Sequence, residues 1–343
     1  MRPARSCRRR SCGGWRTRTA WTWSTPSCSR AKATYVGAGK TGELATAAKQ
    51  AHADLIIADG ELTGRQAHTL EERTGVRVLD RTALILDIFA QHARSSEGRL
   101  QVELAQIAYQ LPRLRGQGEA LSRVAGGAGI GGRGPGEMRL ETQRRTLRRR
   151  ATALRRRVAA LTRRRQRTRE RRARNRVPSV AIIGYTNAGK SALLNRLSGV
   201  GVASADVLFT TLDPTVRRIS DEEVTLTLTD TVGFIRHLSH QLVDAFESTL
   251  EEVRQADLVL HVVDASAPDA LGQITTVHGV LHEIGAGDVP EQLVLNKTDI
   301  APADWVSALL RCHPDALGVS ALTGDHVGAM RKHLADWARE HTR

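Results

Sequence analysis

The spacing of apolar residues shifts between a period of two and a period of about 3.6 along the chain, which predicts a mixed α/β protein. Apolar runs that end in turn residues predict strands within 53–62 and at 76–80. Helical stretches at 42–52 and 63–73 alternate with these strands. Because such alternation is typical of a small α/β layer, the sequence predicts a domain of this kind at 33–95.

Two longer stretches carry apolar residues at alternating spacings of four and three, as in helices that pack along a seam. The first set is Leu100, Leu104, Ile107, Leu111 and Leu114. The second set is Leu147, Ala151, Leu154, Val158 and Leu161. The stretch between them, at 123–137, is too rich in glycine to fold alone. We expect an antiparallel helical hairpin at 96–176, whose loop becomes ordered against a partner.

Residues 1–32 show neither period, so no element is predicted there. This irregular segment is rich in Arg, Cys and Trp, and the first acidic residue of the chain is Glu43. Two interpretations stay open: a basic arm that binds RNA, and a frameshifted or disordered start. A frameshift is favoured because a one-base shift over 16–28, with G or C in most third codon positions, gives an Asp- and Val-rich turn and strand.

Charge is divided unevenly between the two halves of the chain. Residues 1–176 carry 39 Lys and Arg against 14 Asp and Glu, a net charge of +25, whereas residues 177–343 carry 12 against 22, a net charge of −10. Residues 144–176 alone contain 17 Arg, more like charge than pairing within one helix can neutralise. Because no aromatic residue lies among them, this stretch predicts phosphate contacts with structured RNA.

Composition also narrows the cellular location. No apolar run approaches the roughly 20 residues of a membrane span, and the N-terminal arginines are not followed by the apolar stretch of a signal peptide. The four Cys, at positions 7, 12, 28 and 312, form neither a metal-binding spacing nor a disulfide framework. These features predict a cytoplasmic protein without a membrane span.

Two stretches contain Gly-Lys followed by a hydroxyl residue, and only one fits a phosphate-binding loop. GYTNAGKS, at 184–191, has the full glycine, lysine and serine spacing between an apolar strand and a helix. In GAGKTGEL the residue five positions before Gly39 is Thr34 rather than Gly, so we expect a turn and the start of a helix. The predicted nucleotide-binding residues are Gly184, Tyr185, Thr186, Asn187, Ala188, Gly189, Lys190 and Ser191.

The residue types in this loop indicate how a nucleotide would be held. Backbone N–H groups in the glycine turn, together with the N-terminus of the following helix, suit a β-phosphate. Lys190 is expected to bridge the β- and γ-phosphates, and Ser191 is expected to hold Mg²⁺.

Three further motifs follow in the order that a guanine-nucleotide enzyme requires, each at the end of a predicted strand. They are Asp230, Thr231, Val232 and Gly233; then Asn296, Lys297, Thr298 and Asp299; then Ser320, Ala321 and Leu322. Together with the phosphate loop, these motifs predict a P-loop GTPase domain with a doubly wound sheet at 177–343, after a boundary at Pro178.

Each motif has a role that follows from its chemistry. Asp230 is expected to support Mg²⁺ through water, and the Gly233 N–H is expected to sense the γ-phosphate. The Asp299 carboxylate can accept hydrogen bonds from guanine N1–H and N2–H₂, a donor pair that adenine lacks. A backbone N–H at Ser320 or Ala321 would meet guanine O6.

The chain resembles the HflX family of ribosome-associated GTPases from about residue 33 to its end. Long segments carry the resemblance, among them EGRLQVELAQIAYQLPRLRG, GIGGRGPGEMRLETQRR and DTVGFIRHLSHQLVDAFESTLEEV. The resemblance implies a GTPase that uses GTP and Mg²⁺ and binds the large ribosomal subunit and its RNA. It also implies a role in splitting or rescuing stalled ribosomes under stress, with the loop at 123–137 approaching the ribosome's functional centre.

The same resemblance assigns roles to individual residues. It makes FTTLD switch I, which comprises Phe209, Thr210, Thr211, Leu212 and Asp213. Thr211 then becomes a Mg²⁺-sensing residue, and the expected catalytic residues are Lys190, Thr211 and Gly233. Asn187 has two open interpretations: a residue of a K⁺ site, as in cation-dependent GTPases, or a turn residue only.

Phe234 stands where some GTPases place a water-orienting Gln, so we expect hydrolysis to be slow until a partner orders the switches.

Alternatives of other classes stay open. The basic half could instead be an RNA-binding or RNA-remodelling module, with the G domain acting only as a switch. A damaged copy that folds only in its G domain is a third interpretation. Nothing in the sequence suggests more than a monomer.

Overall fold

The computed structural model describes residues 35–93, 95–124, 135–174, 177–199, 215–221, 224–231, 233–234 and 247–342. The chain forms two compact units: the part up to Asp87 with Gln106–Ala151, and Ile88–Ala105 with Thr152–Arg343. The division between the units passes through three helices. The predicted domain limits near residues 95 and 176 therefore stay a prediction.

Helices and strands alternate in the first part of the chain, as the apolar pattern predicts. The elements are α1 (Ala38–Gln50), β1 (Leu55–Ala58), α2 (Gly64–Thr74), β2 (Arg77–Asp80) and α3 (Arg81–His92). Strands β1 and β2 pair in parallel, and α2 connects them, so these three elements form a βαβ unit. The predicted small α/β layer is confirmed.

Local sequence explains where α2 begins and ends. Thr63 and Gln66 form a capping box, in which the side chain of each residue accepts a hydrogen bond from the backbone of the other. At the other end Gly75 adopts a φ of 69°, in the left-handed region that glycine enters without strain, and its N–H donates to the Glu71 carbonyl.

The stretch Gly39-Lys40-Thr41 lies in the first turn of α1. Gly37 is the N-cap residue, and the N–H and hydroxyl of Thr41 both donate to its carbonyl oxygen, at 3.0 and 3.1 Å. The Lys40 side chain is exposed. The expectation of a turn and a helix start is confirmed, so this Gly-Lys-Thr is part of a helix.

Two long helices follow, α4 (Ser96–Val124) and α5 (Pro135–Arg174). On α5, Ala151 and Leu154 of the predicted seam are buried. On α4 only Ile107 of the predicted seam is buried, and Val102 and Ala105, which lie on the opposite face, are buried as well. Helix α4 is therefore covered on more than one side, which a pattern for two helices does not anticipate.

The hairpin arrangement of these helices stays a prediction, and residues 125–134 of the glycine-rich stretch lie outside the described part of the chain, as do residues 1–34. Within the described part, none of the helices combines the length and the apolar composition that a bilayer crossing requires.

The second half of the chain is built on a single sheet. Its elements are β3 (Ser179–Gly184), α6 (Lys190–Ser198), β4 (Thr215–Asp221), β5 (Val224–Asp230), α7 (Glu247–Arg254), β6 (Leu258–Asp264), α8 (Ala270–Glu283), β7 (Glu291–Asn296), α9 (Ala303–Cys312), β8 (Leu317–Gly318) and α10 (Val327–Thr342). The strand order is β4-β5-β3-β6-β7-β8, with β4 antiparallel to β5 and the other neighbours parallel.

Apolar residues fill both faces of this sheet because successive side chains of a strand point in opposite directions. On one face, Leu260 packs in a core that includes Leu193 of α6 and Leu334 of α10. On the other face, Val263 packs in a core that includes Ile274 of α8. Helices on both faces make this a doubly wound sheet, as predicted, and its parallel strands end at one common edge.

A buried carboxylate holds the βαβ unit to α4. Asp80 is 1% exposed and accepts hydrogen bonds from the Leu62 and Ala83 N–H groups and the Tyr109 hydroxyl, at 3.2, 2.8 and 2.8 Å. Its charge is balanced by Arg113, whose guanidinium also lies 3.3 Å from the centre of the Tyr109 ring. Burial and the bond to Asp80 raise the pKa of Tyr109, so its hydroxyl stays a donor.

We expect Arg113→Met to destabilise this unit by about 3 kcal/mol, because a buried carboxylate would lose its counter-charge. Hydrogen exchange of the Leu62 and Ala83 amides should accelerate by roughly 100-fold. Arg73→Ala, at an exposed position of α2, serves as the control and should leave exchange unchanged. Equal protection in both variants would mean that Arg113 does not stabilise the carboxylate.

Candidate nucleotide site

The loop at 184–191 connects β3 to α6, and its backbone requires glycine at two positions. Gly184 and Gly189 have φ values of 147° and 90°. A Cβ on Gly184 would lie 2.1 Å from the Val262 carbonyl oxygen, and a Cβ on Gly189 would lie 2.2 Å from Asn296 Nδ2. Both glycines therefore let the loop lie directly against β6 and β7, at the common edge of the sheet.

Lys190 begins α6 and is only 7% exposed. Its Nζ donates to the carbonyl oxygens of Gly184 and Tyr185, at 3.1 and 2.9 Å. Burial lowers its pKa to about 8, and the negative charge of Asp230 opposes that shift. An ammonium group that is desolvated in this way interacts strongly with an anion that enters the loop.

Ser191 and Asp230 place oxygen ligands side by side. The Ser191 Oγ donates to Asp230 Oδ2 at 2.6 Å, and Asp230 is 1% exposed. A hydroxyl and a carboxylate are the hard oxygen ligands that Mg²⁺ prefers. These residues therefore fit a Mg²⁺ ion next to the phosphate loop, which Ser191 and Asp230 would hold.

The Asp230–Gly233 segment is tied to the phosphate loop through Phe234. Phe234 donates its N–H to the Gly184 carbonyl at 3.0 Å and accepts the Thr186 N–H at 2.9 Å. A Cβ on Gly233 would lie 2.8 Å from Thr186 Cγ2 and 3.1 Å from Lys190 Nζ. The Phe234 side chain is buried, so it belongs to the support of the site and leaves no group at this position to orient water.

Thr231 also has a structural contact, because its hydroxyl donates to the Ile182 carbonyl at 2.8 Å. Asn187 has a φ of 63°, the left-handed conformation that Asn tolerates in turns. The turn interpretation is thus sufficient to explain this residue, and a K⁺ role stays a prediction. Val232 and the predicted switch I, Phe209, Thr210, Thr211, Leu212 and Asp213, lie outside the described residues.

Asn296 joins the phosphate loop to the loop after β8. Its side chain is buried, donates through Nδ2 to the Ala188 carbonyl at 2.8 Å and accepts the Ala321 N–H through Oδ1 at 2.9 Å. The sequence places Asn296 in a base-recognition motif, but the spacing gives no indication of these two bonds. Within the protein, Asn296 is the bridge that holds both loops in position.

The two residues after it are also positioned by protein contacts. Lys297 has a φ of 65°, and its Nζ forms an ion pair with Asp264 Oδ2 at 2.6 Å. Thr298 donates its N–H to the Val319 carbonyl at 3.3 Å. Asp299, in contrast, is exposed, as its predicted contact with a guanine base requires. Asp264 belongs to none of the motifs recognised in the sequence, although it ends β6 at the same edge of the sheet.

The loop after β8 is organised by contacts that the sequence does not reveal. Arg196 of α6 donates to the Ala321 and Leu322 carbonyl oxygens, at 3.3 and 2.6 Å. The Ser320 N–H donates to the Asp325 carbonyl at 3.1 Å. Because the Ser320 and Ala321 amides already donate within the protein, their expected contact with guanine O6 stays a prediction. Leu322 is left 78% exposed at the tip of this loop.

This edge of the sheet has the architecture of a P-loop guanine-nucleotide-binding domain: a phosphate loop, a hydroxyl–carboxylate pair for Mg²⁺ and a base-recognition loop lie on adjacent strand ends.

Comparisons with known proteins agree with this class. Three family models match in succession: GTP-binding GTPase N-terminal at residues 19–90, GTP-binding GTPase middle region at 92–172 and 50S ribosome-binding GTPase at 179–297. The GTPase HflX of Escherichia coli K12 is 45% identical over 316 residues, which cover 90% of this chain and 74% of that protein. The chain therefore belongs to the HflX GTPase family.

Two further proteins are similar to this chain. The GTPase HflX of Caldanaerobacter subterraneus is 53% identical over 272 residues, which cover 78% of this chain and 63% of that protein. A crystal structure of the SsGBP–GDP complex is 27% identical, with a TM-score of 0.52 over 90% of this chain and 88% of that one. Because the chain spans only 63% of the Caldanaerobacter protein, the activity and partners of the whole protein are proposals.

The pKa of Lys190 predicts how nucleotide affinity depends on pH. A bound diphosphate favours the ammonium form and raises the pKa of Lys190 above its value of about 8, so binding takes up a proton between the two pKa values. Affinity for GDP should therefore be constant just below pH 8 and fall above it, by at most about tenfold per pH unit.

Isothermal titration calorimetry with GDP at several pH values up to about 9 measures this fall, and buffers of different ionisation enthalpy report the proton uptake. Lys190→Arg is the matched control, because arginine stays charged throughout and its profile should be flat. An identical pH profile in the two proteins would contradict a titrating Lys190.

Proposed function

We propose that this protein binds and hydrolyses GTP and that it does so in association with the large ribosomal subunit. The observation that carries the proposal is the site itself: Lys190, Ser191, Asp230 and the Asn296–Asp299 loop lie together at one edge of the sheet. The family model over residues 179–297, whose description is 50S ribosome-binding GTPase, supports the choice of partner.

Phosphate binding uses the backbone turn and the lysine. The loop at 184–191 presents its N–H groups and the N-terminus of α6 to the β-phosphate. Lys190 exchanges one or both of its carbonyl contacts for phosphate oxygens, and its desolvated charge stabilises the negative charge that develops at the γ-phosphate. Ser191, supported by Asp230, would hold Mg²⁺, which would supply positive charge against the β- and γ-phosphates.

Base selection depends on Asp299. Its exposed carboxylate can accept from both guanine N1–H and N2–H₂, and adenine would leave the carboxylate unpaired. Lys297 is held by Asp264 and Asn296 is held by two backbone groups, so the loop that carries Asp299 has a supported geometry before the nucleotide arrives. Preorganisation of this kind lowers the entropy lost on binding.

Hydrolysis by the isolated chain is expected to be slow. Phe234 is buried and apolar, so it cannot position the attacking water. Switch I, with Thr211, and the Gly233 amide would complete the site when a partner orders them. Splitting or rescue of stalled ribosomes under stress, a cytoplasmic location and a monomeric state belong to the same proposal.

The basic helix α5 supplies a surface for ribosomal RNA. Arg155, Arg156 and Arg157 are exposed on α5, in the segment that contains 17 Arg between residues 144 and 176. A surface of this kind gains affinity by releasing counterions from RNA phosphates, which requires no base recognition. It therefore suits a large structured RNA better than a short single strand.

GTP hydrolysis by the purified chain, with and without large ribosomal subunits, tests the proposal. Subunits should stimulate the rate by at least tenfold, since ordering of catalytic groups by a partner is worth more than that in related enzymes. Lys190→Ala should abolish the stimulated rate. Lys40→Ala is the matched control, because Lys40 also lies between a glycine and a hydroxyl residue but is exposed in the first turn of α1, outside the phosphate loop.

The same assay separates the alternatives. GTP binding without stimulation of hydrolysis by large subunits would contradict ribosome coupling. It would favour the interpretation in which only the G domain folds. Loss of activity in Lys40→Ala would contradict the assignment of the phosphate loop. Equal rates in K⁺ and Na⁺ would remove a K⁺ role for Asn187.

The second candidate function is RNA binding that needs no GTP turnover, and the exposed arginines of α5 favour it. Replacing Arg155, Arg156 and Arg157 with Gln should weaken binding to large-subunit RNA and reduce the salt dependence of log K by about one for each arginine that contacts phosphate. Filter binding at several salt concentrations measures both quantities, and Lys190→Ala should leave them unchanged. An unaltered salt slope in the triple variant would contradict the role of α5.

A further inference from the structure

Three side chains with metal-ligand chemistry converge on the sheet face that α8 covers. His261 comes from β6, His278 from α8 and Glu291 from the start of β7. One ligand atom from each of the three lies within 4.8 Å of the other two. None of these residues belongs to the nucleotide loops described above.

The geometry of the cluster is centred on the carboxylate. His261 Nδ1 lies 2.7 Å from Glu291 Oε1, and His278 Nε2 lies 3.1 and 3.0 Å from the two carboxylate oxygens. The two imidazole rings are 5.5 Å apart and meet edge to face. Nitrogens from two imidazole rings thus contact one carboxylate. A carboxylate that served only to orient the buried His261 would need no second histidine.

Burial divides the cluster into an inner and an outer part. The His261 side chain is 1% exposed, and those of Glu291 and His278 are 26% and 44% exposed. His261 interrupts the otherwise apolar run of β6, where a histidine carries a desolvation penalty. The outer two residues leave a path by which a hydrated ion can enter, which a usable metal site requires.

We propose that His261, His278 and Glu291 bind a divalent transition-metal ion of the zinc class. Two imidazoles and a carboxylate form a ligand set that zinc uses, with water as the fourth ligand. Ligand atoms around tetrahedral zinc lie about 3.3 Å apart for bonds of about 2.0 Å. The separations of 2.7 to 3.1 Å between the histidine nitrogens and the Glu291 oxygens need to open by only a few tenths of an ångström, and the two imidazole nitrogens lie within 4.8 Å of each other.

The charge states agree with this geometry. Burial lowers the pKa of His261, so its ring is neutral near pH 7. Burial alone would raise the pKa of Glu291, but its hydrogen bonds to the two histidines outweigh that effect and lower it. A neutral imidazole at His261 and an ionised carboxylate at Glu291 are the forms of these two groups that bind metal.

A bound ion would link β6, α8 and β7 behind the nucleotide site. Strand β6 ends at Asp264 and β7 ends at Asn296, the two residues that hold the base-recognition loop. The ion would therefore stabilise the two strands that carry this loop without contacting the nucleotide.

The test uses the full chain, stripped of metal with a chelator and free of nucleotide. Co²⁺ is titrated in and followed by the intense visible absorption of tetrahedral cobalt, and Zn²⁺ is then added to displace it. Octahedral cobalt at the Mg²⁺ site absorbs weakly and does not interfere. We expect one equivalent of tetrahedral Co²⁺, displaced by one equivalent of Zn²⁺, and a higher unfolding temperature with Zn²⁺.

His278→Ala should weaken binding by at least tenfold and abolish the thermal shift, because removal of a direct ligand exceeds the 10- to 100-fold effect of outer-shell changes. Glu291→Gln should have the same effects. Because glutamine keeps the shape of glutamate, this variant tests the proposal even if His278→Ala fails to fold. His282→Ala, an exposed histidine one turn along α8, is the matched control and should bind as the unmodified chain does.

Two results would overturn the proposal. One is the absence of saturable tetrahedral Co²⁺ binding by the unmodified chain, which would leave the cluster as a hydrogen-bonded group. The other is equal binding by the unmodified chain, His278→Ala and Glu291→Gln, which would place the ion on surface histidines.

Discussion

The side-chain amide of Asn296 is the contact on which the nucleotide site depends. It bonds to the Ala188 carbonyl in the phosphate loop and to the Ala321 N–H in the loop after β8, and it is shielded from water. A buried amide gains stability only when both its donor and its acceptor are satisfied. The phosphate loop and the base-recognition region are thus held as one rigid assembly, and Gly189 is required because any Cβ there would meet this amide.

The rest of the domain supports this assembly. Apolar cores on both faces of the sheet hold β3, β6 and β7 parallel, which brings their carboxyl ends to one edge. Burial at that edge has two effects on Lys190: it lowers the pKa of the ammonium group, and it strengthens its attraction for an incoming phosphate. Both effects have the same physical origin, since removing water removes the screening of charge.

Sequence and structure agree where the pattern is local. The capping box at Thr63, the left-handed Gly75 and the glycine spacing of the phosphate loop are each recognisable within a few residues. On α4 only Ile107 of the seam is fully buried and the other four positions are half-buried, because the burial of a helix depends on how many neighbours surround it and not on spacing alone. The contacts of Arg196, Asp264 and Asn296 join segments far apart in sequence, so no local pattern reports them.

The amino-acid sequence by itself determined the α/β class, the true phosphate loop and the order of the guanine motifs, because residue type and spacing constrain the backbone directly. It also determined the charge asymmetry on which the proposed contact with RNA is based. Only the tertiary structure decided that Asn296 joins the phosphate loop to the loop after β8 and that His261 and His278 meet at the Glu291 carboxylate. Strand register and helix packing bring these distant residues together, and the free energy of packing is summed over the whole core and cannot be read from any single segment.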